Sequence, residues 1–255
     1  MDESTRLLVG SWNVLAEGLA HEGLYPNARR GWLKGESRRD SITLVIAESG
    51  ADVVGLQEIE PWLVERLEGY GQLVWAKRKT GRGDGVGVFV REGVAIDDIE
   101  PIAVFSGSEY IKAGIKVSLS GDGVKFDVVS AHLTWGEEEG PKKPSVREIS
   151  RILAGLGRQT RVVLVGDTNA RSGEIERGLI KQAGFTGDAN VVTGWVNGGV
   201  IAVDVIMGRG VDLGELEVVG PAGELPRETW PSDHLMLRRE VVLTREQSNL
   251  EYGVS

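Results

Sequence analysis

Six short phrases in this chain close an apolar run with a side chain that can handle protons, cations or phosphate. They hold Asn13 in SWNVLAEG, Glu58 in ADVVGLQEIE, His132 in KFDVVSAHL, Asp167 and Asn169 in RVVLVGDTNA, Asp204 in VIAVDVIM, and the neighbours Asp233 and His234 in WPSDHLML. Carboxylate and amide oxygens suit a hard divalent cation, carboxylates and imidazoles move protons, and a protonated imidazole opposes the charge of a phosphate. Asp167 and Asn169 stand two apart, so an extended backbone puts both on one face. Asp204 interrupts an apolar stretch, where an ionised group costs several kcal/mol unless it is paired or bound. Asp233 beside His234 favours the charged ring. Taken singly, each residue reads equally as a turn, a helix cap or a buried structural hydrogen bond. Their order, each at the end of an apolar run, argues that they gather at one edge of a common core.

The elements that must position them are mostly strands. Short runs rich in Val, Ile and Leu, bounded by Gly, Asp, Asn or Pro, place strands near 6–13, 52–57, 72–77, 85–91, 112–119, 124–132, 161–167, 201–207, 213–219 and 234–243. Helical periodicity is clearest from Ser37 to Glu48, again from Pro144 to Leu156 with Gly157 as its stop, and more weakly from Gly173 to Ala183. Strands outnumber helices, which predicts a two-sheet sandwich with helices on its outer faces. No repeat or low-complexity linker divides the chain, so residues 1–243 are expected to form one domain and 244–255 a polar tail that frays.

Composition removes several function classes. With no Cys among 255 residues there is no disulfide framework, thiolate zinc site or cysteine nucleophile. A net charge of -9, from 38 acidic against 29 basic side chains, argues against attachment to nucleic acid by bulk charge, although a local basic groove stays open. No apolar run approaches the ~18 residues of a membrane span, and the N-terminus does not look like a secretory signal. A soluble, cytoplasmic protein is expected, with no membrane association and no obligate protein partner.

The series of motifs resembles the endonuclease/exonuclease/phosphatase superfamily, and finer features are similar to its Ccr4-type deadenylase and nocturnin branch. Those features are NVLAEGLAHEGLYP followed by Trp32 and Arg38, the phrase ADVVGLQEIE, HLTW, and the spacing from Leu225 and Pro226 to PSDH. Two positions depart: Thr168 stands where an aromatic is usual, followed by ARSGEI rather than Ser and Pro, and Val205 stands where the branch often has Tyr. The resemblance implies an α+β, four-layer α/β/β/α sandwich of the deoxyribonuclease I type. It further implies that Glu58 holds magnesium, or manganese in its place, with Asn13 beside it. Asp167 would orient or deprotonate the attacking water, Asn169 would hold the phosphate or nucleophile, and Asp204 would help to position it. His132, and His234 supported by Asp233, would donate to phosphate oxygens.

The expected activity is magnesium-dependent phosphodiester hydrolysis, as a 3′-5′ exoribonuclease of the deadenylase type acting on single-stranded RNA. Alternatives within the superfamily are a DNA nuclease, a 2′-5′ phosphodiesterase or a dinucleotide phosphatase; outside catalysis, a protein that binds nucleic acid or a partner without cleaving. For substrate contacts the candidates are Arg38; Lys77 and Arg78 in the basic stretch WAKRKTGRGDG; and Trp135 and Trp195 as stacking surfaces. Lys79, Arg82, Lys142, Lys143 and Arg147 extend the same reading to a phosphate track.

Overall fold

The computed structural model describes residues 4–26, 28, 31–78, 83–106, 109–135, 140, 143–157, 159–196 and 199–244. Lys79, Arg82, Lys142 and the tail beyond 244 lie outside the described residues.

In chain order the elements are β1 (Ser4–Asn13), α1 (Glu36–Glu48), β2 (Val53–Ile59), α2 (Pro61–Leu67), β3 (Gly71–Lys77), β4 (Gly85–Arg91), β5 (Ala95–Ser106), β6 (Glu109–Gly121) and β7 (Val124–His132). They continue with α3 (Pro144–Leu156), β8 (Val162–Asp167), α4 (Ile175–Gln182), β9 (Gly194–Val196), β10 (Gly199–Ile201), β11 (Asp204–Arg209), β12 (Asp212–Val219) and β13 (Met236–Thr244). One sheet has the order β12-β13-β1-β2-β4-β3, the other β11-β8-β7-β6-β5, and β9 with β10 makes a separate small hairpin.

Alternation explains why the strands are buried on both faces. In β8, Val163 and Val165 enter the core between the sheets with Val53, Val88 and Val128, while Val162 and Leu164 face Ile149, Ile152 and Ile180 of α3 and α4. In the other sheet, Val54 and Leu56 of β2 pack outward against Ile42 and Ile46 of α1 and Leu63 and Leu67 of α2. The result is helices, sheet, sheet, helices. No helix among the described residues is long and apolar enough to cross a membrane.

Each sheet contains one parallel pair, and these pairs set the site. β1 runs parallel to β2 with Asn13 level with Gln57, and β7 runs parallel to β8 with His132 level with Asp167. Both pairs therefore deliver polar residues where their strands end. Gly166, at φ 144, permits a close approach there: a Cβ on it would lie 1.9 Å from the Ala131 carbonyl oxygen. The sheets also close tightly at Gly55, whose Cβ would come within 2.1 Å of Val165 Cγ2.

The structure corrects three expectations. The run 201–207 is not one strand: β10 ends at Ile201, and Asp204 opens β11 opposite Asp167 rather than interrupting an apolar strand. β5 was not expected, because AIDDIEPIAVFS is acidic and carries Pro101; it is an edge strand, where the missing N–H of proline is tolerated. The helix α2 was also unforeseen, since seven residues give too little periodicity to see.

Candidate active site

Glu58 is presented by a break in the strand rule. Pairing of β2 with β4 runs through Gln57 with Val86 and resumes at Ile59 with Gly85, so Glu58 is skipped. Its φ of 58 is left-handed, a conformation that costs a non-glycine residue about 1 kcal/mol or more. The bulge lets consecutive side chains serve two purposes: Gln57 donates to Ser130 Oγ between the sheets, and Glu58 turns to the strand ends. Asn169, at φ 48, makes a second such bend after β8.

Six of the residues picked from sequence meet here. Asn13 Nδ2 donates to Glu58 Oε1 and to Asp167 Oδ2, each at 3.1 Å, while its Oδ1 accepts from the Leu15 amide at 3.0 Å. Glu58 Oε2 accepts from the Ala16 amide at 2.9 Å. His132 Nε2 stands 3.8 Å from Glu58 Oε1 and 3.6 Å from Asp167 Oδ2. His234 Nε2 lies 3.8 Å from the same Asp167 oxygen, and its Nδ1 is 2.9 Å from Asp204 Oδ2. Asn169 lies alongside: its amide donates to Asp167 Oδ1 and its Nδ2 to the Leu133 carbonyl, both at 2.8 Å.

His234 is held by its backbone as well as its ring. Trp12 Nε1 and Trp230 Nε1 both donate to its carbonyl, at 3.0 and 2.8 Å, and the Ser232 hydroxyl accepts from its amide at 3.1 Å. Both indoles are buried, with ring centroids 5.4 Å apart.

Burial and neighbours divide the charges. Burial, then the nearby Asp233, pushes the Glu58 carboxyl up to about 7 against the bonds from Ala16 and Asn13. Burial also pushes Asp167 up, with the charge of His234 pulling it back. His132 is driven well below 6.5 by burial, then by the charges of Arg78 and His234, so its ring is neutral. Burial pulls His234 down too, but Asp204, Asp233 and Asp167 outweigh it and hold the ring well above 6.5, as an imidazolium.

Several sequence assignments need correcting. The carboxylate in contact with His234 is Asp204, and Asp233 instead accepts from the Tyr25 hydroxyl at 2.6 Å. Arg38 is wholly buried, so it cannot touch substrate; it donates to the carbonyls of Val14, Leu15 and Pro231 and ties the loop after β1 to the segment before His234. Trp195 is half-buried against the apolar group around Trp12 and α1, which fits it poorly as a stacking surface, whereas Trp135 is 68% exposed. Lys143 is engaged by Glu174 and Glu176, at 3.1 and 2.9 Å. Lys77 and Arg147 are exposed, and Arg78 is half-buried, donating to the His132 carbonyl at 2.9 Å. Tyr25 was missed; its signal was a loop with its own apolar set, Leu15, Ala20, Tyr25 and Leu33.

The model of the endonuclease/exonuclease/phosphatase family matches residues 10–234, a span that begins just before Asn13 and ends on His234. The chain belongs to this family. Members of the endonuclease/exonuclease/phosphatase family are generally hydrolases of phosphoester bonds, and divalent metals are common among them. No curated protein matches the sequence. Solved structures share the fold at low identity. ANGEL2, a 2′,3′-cyclic phosphatase in complex with adenosine-2′,3′-vanadate, superposes with a TM-score of 0.81 at 18% identity over 94% of this chain and 96% of that one. The human Nocturnin catalytic domain with bound sulfate gives 0.70 at 18% identity over 94% and 96%. TDP2 from D. rerio, with a single strand DNA product, gives 0.68 at 18% identity over 93% and 99%.

Two places in the site offer carboxylate oxygens to a divalent cation, Glu58 and the group of Asp167, Asp204 and His234. Among the described residues no lysine or arginine pairs with the Glu58 carboxylate, the imidazole of His132 beside it is neutral, and burial with Asp233 weakens its acidity while the charge of His234 opposes them. Asn13 turns its nitrogen to both Glu58 and Asp167 and holds them in place, while its oxygen accepts from the Leu15 amide. Ligand atoms of Asp167, Asp204 and His234 also lie within 4.8 Å of one another. There the imidazolium already answers the carboxylates, and a cation would have to displace its proton.

Proposed function

We propose that this chain is a magnesium-dependent phosphodiesterase, with manganese as an alternative cation, acting as a 3′-5′ exoribonuclease on single-stranded RNA and favouring adenosine. The observation that carries the reading is the buried meeting of an imidazolium at His234, a Glu58 carboxylate that no described lysine or arginine pairs with, and Asp167 between them. A phosphodiester is anionic, and its hydrolysis by in-line attack needs positive charge at the phosphoryl oxygens and a base near the water. A cation held by Glu58 supplies Lewis acidity to those oxygens when bound. Asp167, raised in pKa, orients the water and accepts its proton. Its position is fixed by Asn13 Nδ2 and the Asn169 amide. His234, kept charged by Asp204, donates through Nε2 to a phosphoryl oxygen, and neutral His132 donates a hydrogen bond without adding charge.

Residues 1–243 serve as a single catalytic domain in this reading. Trp135, exposed two residues beyond Leu133, offers a ring on which a base can stack for ~1–3 kcal/mol, with Lys77 and Arg78 toward the phosphates. A second reading, hydrolysis of a terminal 2′,3′-cyclic phosphate, is favoured by the likeness to the ANGEL2 structure at a TM-score of 0.81.

The experiment is incubation with poly(A), mixed-sequence RNA, single-stranded and duplex DNA, NADPH and adenosine 2′,3′-cyclic phosphate, each with magnesium or EDTA. Wild type is compared with Glu58→Gln and His234→Asn. Magnesium-dependent shortening of poly(A) from its 3′ end, lost in both variants, is the expected result. Ring opening of the cyclic phosphate alone would select the second reading. Hydrolysis of no substrate above the level of the two variants would overturn both.

A further inference from the structure

Arg177, in the first turn of α4, is wholly buried, so no substrate can reach it. Its guanidinium nevertheless spans three acceptors. Nε donates to the Ala170 carbonyl at 3.0 Å, Nη2 to the Asp204 carbonyl at 3.2 Å, and Nη1 to Asp188 Oδ1 at 2.9 Å. Asp188 also takes Ser172 Oγ at 3.0 Å and Lys181 Nζ at 2.7 Å.

Taking a guanidinium out of water costs several kcal/mol, and Asp188 answers its charge. A buried guanidinium must also place its remaining donors, and the two carbonyls that take them belong to the active-site segments. Ala170 follows Asn169 in the bend that sets its amide on Asp167 and its Nδ2 on Leu133. Asp204 carries the carboxylate that meets His234. Thr193 Oγ1 accepts from the two amides that precede the Asp204 carbonyl in the chain, those of Val203 and Asp204, at 3.2 and 3.4 Å. Thr168 Oγ1 lies 2.6 Å from the Val203 carbonyl and 3.2 Å from that of Ala170. Arg177 thus completes a frame joining the exit of β8 to the start of β11. Its planar fork can reach carbonyls in both segments, which an ammonium cannot.

We propose that Arg177 is a positioning residue that sets the Asn169 side chain beside Asp167 and the Asp204 carboxylate against His234. The inference rests on the catalytic reading above, yet the placement itself can be observed without substrate. In Arg177→Lys the charge remains for Asp188 but the fork is lost. kcat should fall roughly 10–100-fold, as on removal of other groups that orient a reacting side chain, with KM within about two-fold. In Asp188→Asn the counter-charge goes while both carbonyl contacts stay, so Tm should fall and kcat should hold within about three-fold. In 1H–15N spectra, the Asn169 side-chain amide and the Asp204 backbone amide should move in Arg177→Lys and stay in Asp188→Asn. Wild-type kcat in Arg177→Lys, equal kcat losses in the two variants, or unmoved Asn169 and Asp204 signals in Arg177→Lys would overturn the proposal. A wild-type protein that hydrolyses none of the substrates would sink the catalytic reading, and the spectra would still decide the placement.

Discussion

The exit of β7 and the segment leading into β13 each bring a histidine to within 4 Å of the same Asp167 oxygen, 3.6 Å for His132 and 3.8 Å for His234. Exposure does not separate them, at 7% and 5%. Their charges differ because their other neighbours do. His234 has Asp204 at 2.9 Å on its far nitrogen, whereas among the described residues His132 has no hydrogen-bond partner on Nδ1, and it feels the cationic Arg78 and His234. Burial alone neutralises an imidazole, and carboxylates led by Asp204 in contact, with Asp233 and Asp167 nearby, reverse the outcome. A single pocket thereby holds one charged and one neutral donor at the same pH.

Asp204→Asn attacks that difference most directly. It should lower kcat by about 10³-fold, the scale for losing a preorganised transition-state charge, and NMR titration should find His234 no longer charged near neutrality. Breaking one side of a buried pair should also lower stability by about 3–5 kcal/mol, seen in denaturant unfolding. Replacing His132 by Asn removes a neutral hydrogen bond only, so the loss should be smaller, about 10- to 100-fold for a bond of roughly 1–3 kcal/mol. Equal losses from His132→Asn and His234→Asn would show that their charge states do not differ in the working enzyme.

The pH dependence sharpens the comparison. His234, raised when folded, stabilises the native state below its unfolded value of about 6.5, and that contribution disappears as pH rises through its folded value. His132, lowered when folded, stabilises the native state at higher pH and withdraws that stability as pH falls below about 6.5. Activity should fail on the alkaline side as His234 loses its proton. With Glu58 at about 7, magnesium affinity measured by calorimetry should tighten about tenfold per pH unit below 7 and level off above it, with proton release. Glu58→Gln should abolish stabilisation by magnesium and, without the cation, raise Tm at pH 8. The smallest effect is expected from Arg78→Met, which should let the His132 pKa rise and change kcat only a few-fold.

Strands were legible in sequence where both faces are apolar, as in RVVLVGD and ADVVGLQ, since continuous runs ended by turn residues carry their own punctuation. β5 was not, because an edge strand answers to solvent and tolerates proline and acids. The site residues could be named from motifs, but their pairing could not. Asp233 adjoins His234 in sequence and yet bonds Tyr25, while the carboxylate in contact with His234, Asp204, comes from another strand. Arg38 was expected at the substrate and Arg177 carried no motif, yet both are buried on backbone carbonyls that local pattern does not reveal.

The contact between Gly166 and the Ala131 carbonyl has one more implication. With no atom able to fit between those two main chains, the separation of His132 from Asp167 is dictated by peptide geometry rather than by side-chain choice. Descendants of this chain could not widen the floor to admit a different reacting group without losing the register of two strands. New substrates would have to be recruited at the rim, where Trp135 stands free to be replaced.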